Sequence, residues 1–225
     1  MRNVLITGAN RGLGLGFVRH CLDRGDKVWA CYRDDAGGLT QIDHPDCTAL
    51  RWDVARSLEP SEEAKLPAAI NLLINNAGIY GSKGGGQSLE NVSEQEMLEV
   101  FRIDTVAPLR VVQQLLPRLK KGHAVIANMS SKMGSSSDNG SGGVYAYRAA
   151  KSALCIVSRS LAVDLAEDQI RVVCLHPGWV QTDMTNNTGL IDVDTSVSGL
   201  FRVVENVDDY PPGAFVAYDG ALVPY

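Results

Sequence analysis

Tyr147 and Lys151 stand four residues apart in the run Tyr147-Arg148-Ala149-Ala150-Lys151. The surrounding pattern reads as helix, which puts both side chains on one face, one turn apart. An ammonium held beside a phenol favours the phenolate, so such a tyrosine can give and take a proton near neutral pH. That is the proton-handling half of a carbonyl reduction. On an ordinary helix the same two residues are a surface pair, so the reading depends on what else the chain places beside them. The other half is a hydride donor, and the start of the chain offers a place to hold one.

Thr7-Gly8-Ala9-Asn10-Arg11-Gly12-Leu13-Gly14 lies between an apolar run, Val4 to Ile6, and a helical pattern carrying Leu13, Phe17 and Cys21. Gly8 suits a tight turn out of a strand, Gly12 leaves room for a pyrophosphate, and Gly14 lets a helix pack against a sheet. The helix start then offers free amides and a partial positive charge. The spacing is G-x-x-x-G-x-G. It lacks the G-K-[ST] ending of a P-loop, so nucleotide hydrolysis is not indicated. Arg11 lies inside this cradle and Arg33 just past the second apolar run. An acid at that strand end would bond a free ribose 2′-hydroxyl, whereas arginine suits a 2′-phosphate. NADP(H) is therefore expected over NAD(H), although Asp34 and Asp35 follow.

The elements that must position these residues are legible as alternating strands and helices. Strands are expected at Val4–Ile6, Lys27–Cys31, Thr48–Trp52, Ile70–Ile74, His123–Asn128, Ile170–Leu175 and Phe215–Tyr218. Helices are expected after Gly12, from a capping box at Ser93-Glu94-Gln95-Glu96 towards Lys120 with a kink at Pro108, and from Tyr145 to Leu165. Within the middle helix, Met97, Phe101, Asp104 and Pro108 fall on one stripe, which turns Asp104 inward. The pattern predicts an α/β fold, a Rossmann-type doubly wound parallel sheet of about seven strands with helices on both faces, in one domain over residues 1–225. Gly81–Gly86, Ser135–Gly143 and Asn186–Val197 are expected as loops that build a substrate pocket.

Composition narrows the class. Hydrophobic residues make up 45% and charged residues 21% of 225, the balance of an ordinary globule. The net charge of −5 argues against nucleic-acid or anionic-membrane partners. Five scattered cysteines without a C-x-x-C pair, and four histidines without ligand spacing, predict reduced, mostly buried thiols and no metal. No leader pattern precedes the first strand and no apolar run could span a bilayer, so a cytoplasmic protein is expected.

With Thr7 to Gly14, Asn75-Asn76-Ala77-Gly78, a serine pair and Tyr147 to Lys151 in this order, the chain resembles the short-chain dehydrogenase/reductase family over nearly its whole length. Asn128-Met129-Ser130-Ser131, Gly142-Gly143, the run His176 to Met184 and Tyr218-Asp219-Gly220 look like its C-factor-like and Sniffer-like carbonyl reductase branch. The resemblance implies Tyr147 as general acid/base, Lys151 as the group that lowers its pKa and bonds the nicotinamide ribose, and Ser131, rather than Ser130, as the partner of the substrate carbonyl. It implies a cofactor held by Gly8, Asn10, Arg11, Gly12, Leu13, Gly14 and Arg33. Asp53 and Val54 would meet the adenine, and Asn76, Ala77 and Gly78 the adenosine side. Pro177, Gly178, Val180 and Thr182 would hold the carboxamide and phosphates.

Where the family usually carries a water-ordering asparagine this chain has Asp104, which is expected to keep that role and pair with Lys151. His176 before a proline reads as structural. The expected partners are a small carbonyl or alcohol and a second copy of the chain, through the helices carrying Ser93 and Tyr147. Two rivals share the motifs. A dinucleotide-binding regulatory protein with vestigial activity would need only the cradle, and a nucleotide-sugar epimerase would want a larger substrate region than the chain after Met184 offers.

Overall fold

Seven short apolar runs form one all-parallel sheet in the computed structural model, which describes residues 1–225. The strands are β1 (Asn3–Ile6), β2 (Lys27–Tyr32), β3 (Cys47–Arg51), β4 (Leu72–Asn75), β5 (Val125–Met129), β6 (Arg171–His176) and β7 (Phe215–Ala217). Every strand expected from the sequence is present, with small shifts at its ends. Their spatial order is β3-β2-β1-β4-β5-β6-β7. The first three strands therefore step one way from β1 and the rest step the other, so a crevice opens at the carboxyl ends of β1 and β4.

Six α-helices cover the sheet: α1 (Gly12–Asp23), α2 (Pro60–Glu63), α3 (Glu94–Phe101), α4 (Ala107–Leu115), α5 (Tyr145–Asp164) and α6 (Val193–Glu205). The pleat sorts the side chains between two cores. Val4, Ile6, Leu72 and Ile74 meet Phe17 of α1 and Leu200 and Phe201 of α6. Leu5, Leu73 and Ile126 meet Val111 and Leu115 of α4 and Leu161 of α5 on the opposite face. A buried polar chain pins α5 laterally: Asn75 Nδ2 donates to Asn128 Oδ1 at 2.8 Å, and Asn128 Nδ2 donates to Ser158 Oγ at 2.9 Å. Four of the five cysteines are buried and all are unpaired. No helix is long and apolar enough to cross a membrane.

Three expectations change. The segment from Val193 is helix α6, not loop; Asp192 caps it by accepting from Thr195 N at 2.7 Å. Gly199 in its middle disguises the helix, since glycine there costs about 1 kcal/mol against alanine. Its reason is packing: a Cβ at Gly199 would lie 2.2 Å from the Tyr218 carbonyl oxygen.

The long middle helix is interrupted by a π-turn, Arg102–Val106, between α3 and α4. That turn shifts the register, leaving Phe101 39% exposed while Val100, Ile103 and Asp104 face inward. Pro108 then falls in the first turn of α4, where its missing N–H does no harm.

The capping box is half formed. Ser93 Oγ accepts from Glu96 N at 3.1 Å, but the Glu96 carboxylate accepts from Ser82 N rather than reaching back to Ser93.

Candidate active site

The crevice at the ends of β1 and β4 is a cavity of about 510 Å³ lined by Gly8, Asn10, Arg11, Gly12, Leu13, Gly14, Arg33, Asp53, Val54, Asn76, Ala77, Gly78 and Thr182. Its floor is built by side chains that tie two loops together. Thr7 Oγ1 accepts from Asn76 N and Ala77 N, each at 3.0 Å, and Asn76 Nδ2 donates to Thr7 O and Gly8 O, each at 3.0 Å. Glycine is obligatory at Gly8, where φ is +64° and a Cβ would meet Ala77 Cα at 2.8 Å. At Gly14 a Cβ would lie 2.1 Å from Gly8 O, so this glycine lets α1 start against the turn. No side chain caps the N-terminus of α1, which leaves its first amides facing the cavity. A glycine-lined turn beside uncapped helix amides fits a dinucleotide pyrophosphate.

Arg33 lies on the cavity wall and is ion-paired with Asp34 at 2.6 Å; Arg11 reaches Asp183 at 3.2 Å. Asp34, Asp35, Trp52, Ile79, Ile103, Asp183 and Met184 also line the cavity and were not singled out from the sequence. The first two were visible as neighbours of Arg33. Ile79 follows Gly78 in the loop after β4, and the others are brought in by the end of β3, the π-turn and the chain after β6, whose approach no local spacing announces. Of the expected carboxamide and phosphate ligands only Thr182 lines the cavity; Pro177, Gly178 and Val180 do not. Pro177 O accepts from Ser196 Oγ at 2.7 Å, Gly178 packs on Ile191 and Tyr218, and Val180 bridges to Ile191.

Past Gly78 the cavity meets a buried cluster. Lys151 and Asp104 are both buried, with Lys151 Nζ 3.1 Å from Asp104 Oδ2. Lys151 Nζ also donates to Met129 O at 2.9 Å and stands 5.6 Å from the centroid of the Tyr147 ring. Asp104 Oδ1 accepts from Ile79 N at 2.8 Å, so one carboxylate holds both the lysine and the loop after β4. Gly78 lies over the pair: a Cβ there would be 3.3 Å from Asp104 Oδ1 and 3.4 Å from Lys151 Nζ.

The two serines separate cleanly. Ser130 Oγ donates to Lys151 O at 2.9 Å inside the core, while Ser131 Oγ accepts from Met133 N at 3.2 Å and is the serine that acts on the phenol, lowering its pKa. Tyr80 adds a second ring, its centroid 4.9 Å from that of Tyr147. His176 Nδ1 accepts from Lys132 N at 3.2 Å and so steadies the turn that carries Ser131. Burial pushes His176 down to about 4, which keeps it neutral and able to accept.

The charges refine the expected proton chemistry. Burial raises Asp104 above the usual carboxylate range, against the pull of Lys151 and the Ile79 N–H. Burial also pulls Lys151 down, but Asp104 and then Tyr147 hold it above the ordinary lysine value. For Tyr147, burial wins. The phenol stays above its usual value, helped by Asp104, because Lys151 and the Ser131 hydrogen bond do not offset the desolvation. The expectation that the neighbouring ammonium brings the phenolate near neutral pH is thus corrected for the chain alone.

Comparison with known proteins agrees with this architecture. The family model described as short chain dehydrogenase matches residues 2–190. C-signal of Myxococcus xanthus is 39% identical over 157 residues, covering 69% of this chain and 93% of its own length. The NADPH-bound carbonyl reductase from chicken fatty liver is 34% identical, with a TM-score of 0.89 over 100% of this chain and 99% of that one. The carbonyl reductase Sniffer of D. melanogaster is 34% identical, with a TM-score of 0.90 over 100% of both chains.

Proposed function

This chain belongs to the short-chain dehydrogenase/reductase family of NAD(P)-dependent oxidoreductases, and from that premise we propose that it is an NADPH-dependent reductase of small aldehydes or ketones. The observation that carries the proposal is the buried Lys151–Asp104 pair with the Tyr147 ring beside it, lying under Gly78 on the wall of a dinucleotide-sized groove. When bound, NADPH supplies the hydride.

The remaining work falls to the chain. The amides from Gly12 to Gly14 hold the pyrophosphate, with Gly8 and Asn10 shaping the turn beneath it. Arg33, aided by Arg11, takes the ribose 2′-phosphate; Asp53 and Val54 bound the adenine, and Asn76, Ala77 and Gly78 the adenosine side. Pro177, Gly178, Val180 and Thr182 hold the carboxamide end. Tyr147 gives its proton to the oxygen of the carbonyl as it becomes an alkoxide, and Ser131 donates a second hydrogen bond to that oxygen. Lys151 orients the nicotinamide ribose and stabilises the phenolate left behind, and Asp104 keeps Lys151 charged and in place.

The test is Tyr147→Phe. It is expected to bind NADPH as wild type does, more tightly than NADH, while turnover over a panel of aldehydes, ketones and quinones falls by about 10²- to 10⁴-fold. Wild-type rates in this variant would remove Tyr147 from the chemistry. Tight NADPH binding by the wild-type chain with no turnover on any panel member would favour the regulatory reading instead.

A further inference from the structure

The helix that carries Tyr147 starts without a cap of its own. Gly142, Gly143 and Val144 take φ values of +63°, +62° and +51°, so three left-handed residues in succession lead into α5. Val144 is branched at Cβ and strained in that region, and it offers no side-chain acceptor to the first turn. The free amides at this end are met by one residue far away in sequence. Tyr145 N donates to Gln87 O at 3.3 Å, and Tyr147 N donates to Gln87 Oε1 at 3.0 Å. Gln87 is buried, at 2% exposure. Its amide nitrogen is also committed, donating to Tyr80 O at 2.6 Å and Ser82 O at 3.1 Å. A flipped amide would turn N–H toward N–H and carbonyl toward carbonyl, so the network allows one orientation.

We infer that Gln87 is a positioning residue for Tyr147: it caps the α5 helix from the loop after β4 and, by the same amide, ties the Tyr80 wall of the pocket to the phenol. The backbone of each ring in the Tyr80–Tyr147 pair hangs on this one side chain, and the rings pack with centroids 4.9 Å apart. A substrate that displaces Tyr80 therefore pulls on the first turn of α5, so the fit of the carbonyl's substituent is coupled to proton delivery. This inference rests on the reading of Tyr147 as the proton donor.

Two variants separate the parts of the network. Gln87→Met has similar length and no hydrogen bonds. Gln87→Glu keeps an oxygen for Tyr147 N–H and loses the donor to Tyr80 O and Ser82 O. In Gln87→Met, kcat is expected to fall by about 10- to 100-fold, the loss that a small misplacement of a reacting group produces, with NADPH affinity unchanged. Gln87→Glu is expected to recover most of kcat toward a small aliphatic aldehyde, while KM for a bulky aromatic aldehyde stays raised. Its carboxylate beside Tyr147 also moves the alkaline limb of the rate profile to higher pH, a shift that a purely structural defect does not make.

Wild-type kcat in Gln87→Met, or a Gln87→Glu variant as slow as Gln87→Met on the small substrate, would overturn the inference. If Gln87→Met does not fold, the KM split and the pH shift of Gln87→Glu decide alone. Turnover that survives Tyr147→Phe shows instead that the proton-donor reading has failed.

Discussion

A buried carboxylate beside a buried ammonium is costly to assemble, and removing one partner of such a pair typically costs about 3–5 kcal/mol because the other charge is left unmatched. Asp104 offsets part of its own burial through the Ile79 N–H, and Lys151 part of its burial through Met129 O. The two groups act on Tyr147 with opposite sign: Lys151 lowers the phenol and Asp104 raises it. Asp104→Asn removes that negative charge, at the stability cost of leaving Lys151 unmatched. The amide still accepts from Ile79 N, and Met129 O still accepts from the ammonium, but the negative charge is gone. Because Tyr147 donates only while protonated, turnover falls on the alkaline side as the phenol ionises. Losing Asp104 removes one of the contributions that delay that ionisation. The alkaline limb of kcat/KM is expected to move to lower pH. The measurement is a pH–rate profile of the variant beside wild type, and superimposable profiles, or a limb moved upward, would leave Asp104 without a distinct electrostatic role.

At the level of elements, the geometry of Ser131 depends on how the turn Lys132–Gly134 sits on α5. Ser131 Oγ accepts from Met133 N at 3.2 Å at the start of that turn, and Ser130 Oγ holds Lys151 O. The contact is as close as backbones allow. A Cβ at Gly134 would lie 2.7 Å from both Lys151 C and Ser152 N. Gly134→Ala must lift the turn away from the helix that carries Tyr147 and Lys151. It is expected to cost about 1–3 kcal/mol of stability, as overpacking does, and to lower kcat while NADPH affinity holds. Thermal unfolding and steady-state kinetics check both parts, and a variant with wild-type melting would show that the turn has room to spare.

The same scale shows what a sequence can and cannot disclose. The cradle, the strands and the Tyr147–Lys151 spacing were legible because each is a local pattern: apolar runs closed by glycine, or two residues one helical turn apart. Ser131 was separable from Ser130 only by family likeness, since what distinguishes them is which hydroxyl α5 occupies. The π-turn, the glycine inside α6 and the cap supplied by Gln87 were hidden because each answers to a neighbour distant in sequence. The inward turn of Asp104 was anticipated, yet by a stripe that the π-turn breaks at Phe101.

Considered as a whole molecule, the chain leaves one apolar face uncovered. Leu98 on α3 is 62% exposed and Ile156 on α5 is 60% exposed, with Phe101, Val106, Leu116 and Val163 also open to solvent. These side chains come from adjoining elements: Thr105 Oγ1 in the π-turn donates to Ala150 O of α5 at 2.8 Å, which ties the two helical segments together. Single exposed apolar residues need no explanation, but a cluster spread over neighbouring helices marks a surface for association. A second copy of the chain suits it, because a two-fold axis lets α3 and α5 of each protomer meet the same helices of the other. The elements so covered carry Asp104 and Lys151, so association would also stiffen the proton-handling cluster from behind. Sedimentation of the wild-type chain at micromolar concentration is expected to give twice the 24.2 kDa of one chain. The double variant Leu98→Glu/Ile156→Glu places charges in the middle of the face and is expected to sediment as a monomer with NADPH binding intact, since neither residue lines the cradle. A wild-type chain that sediments as a monomer would sink the proposal directly. A double variant that remains dimeric would move the interface to another surface.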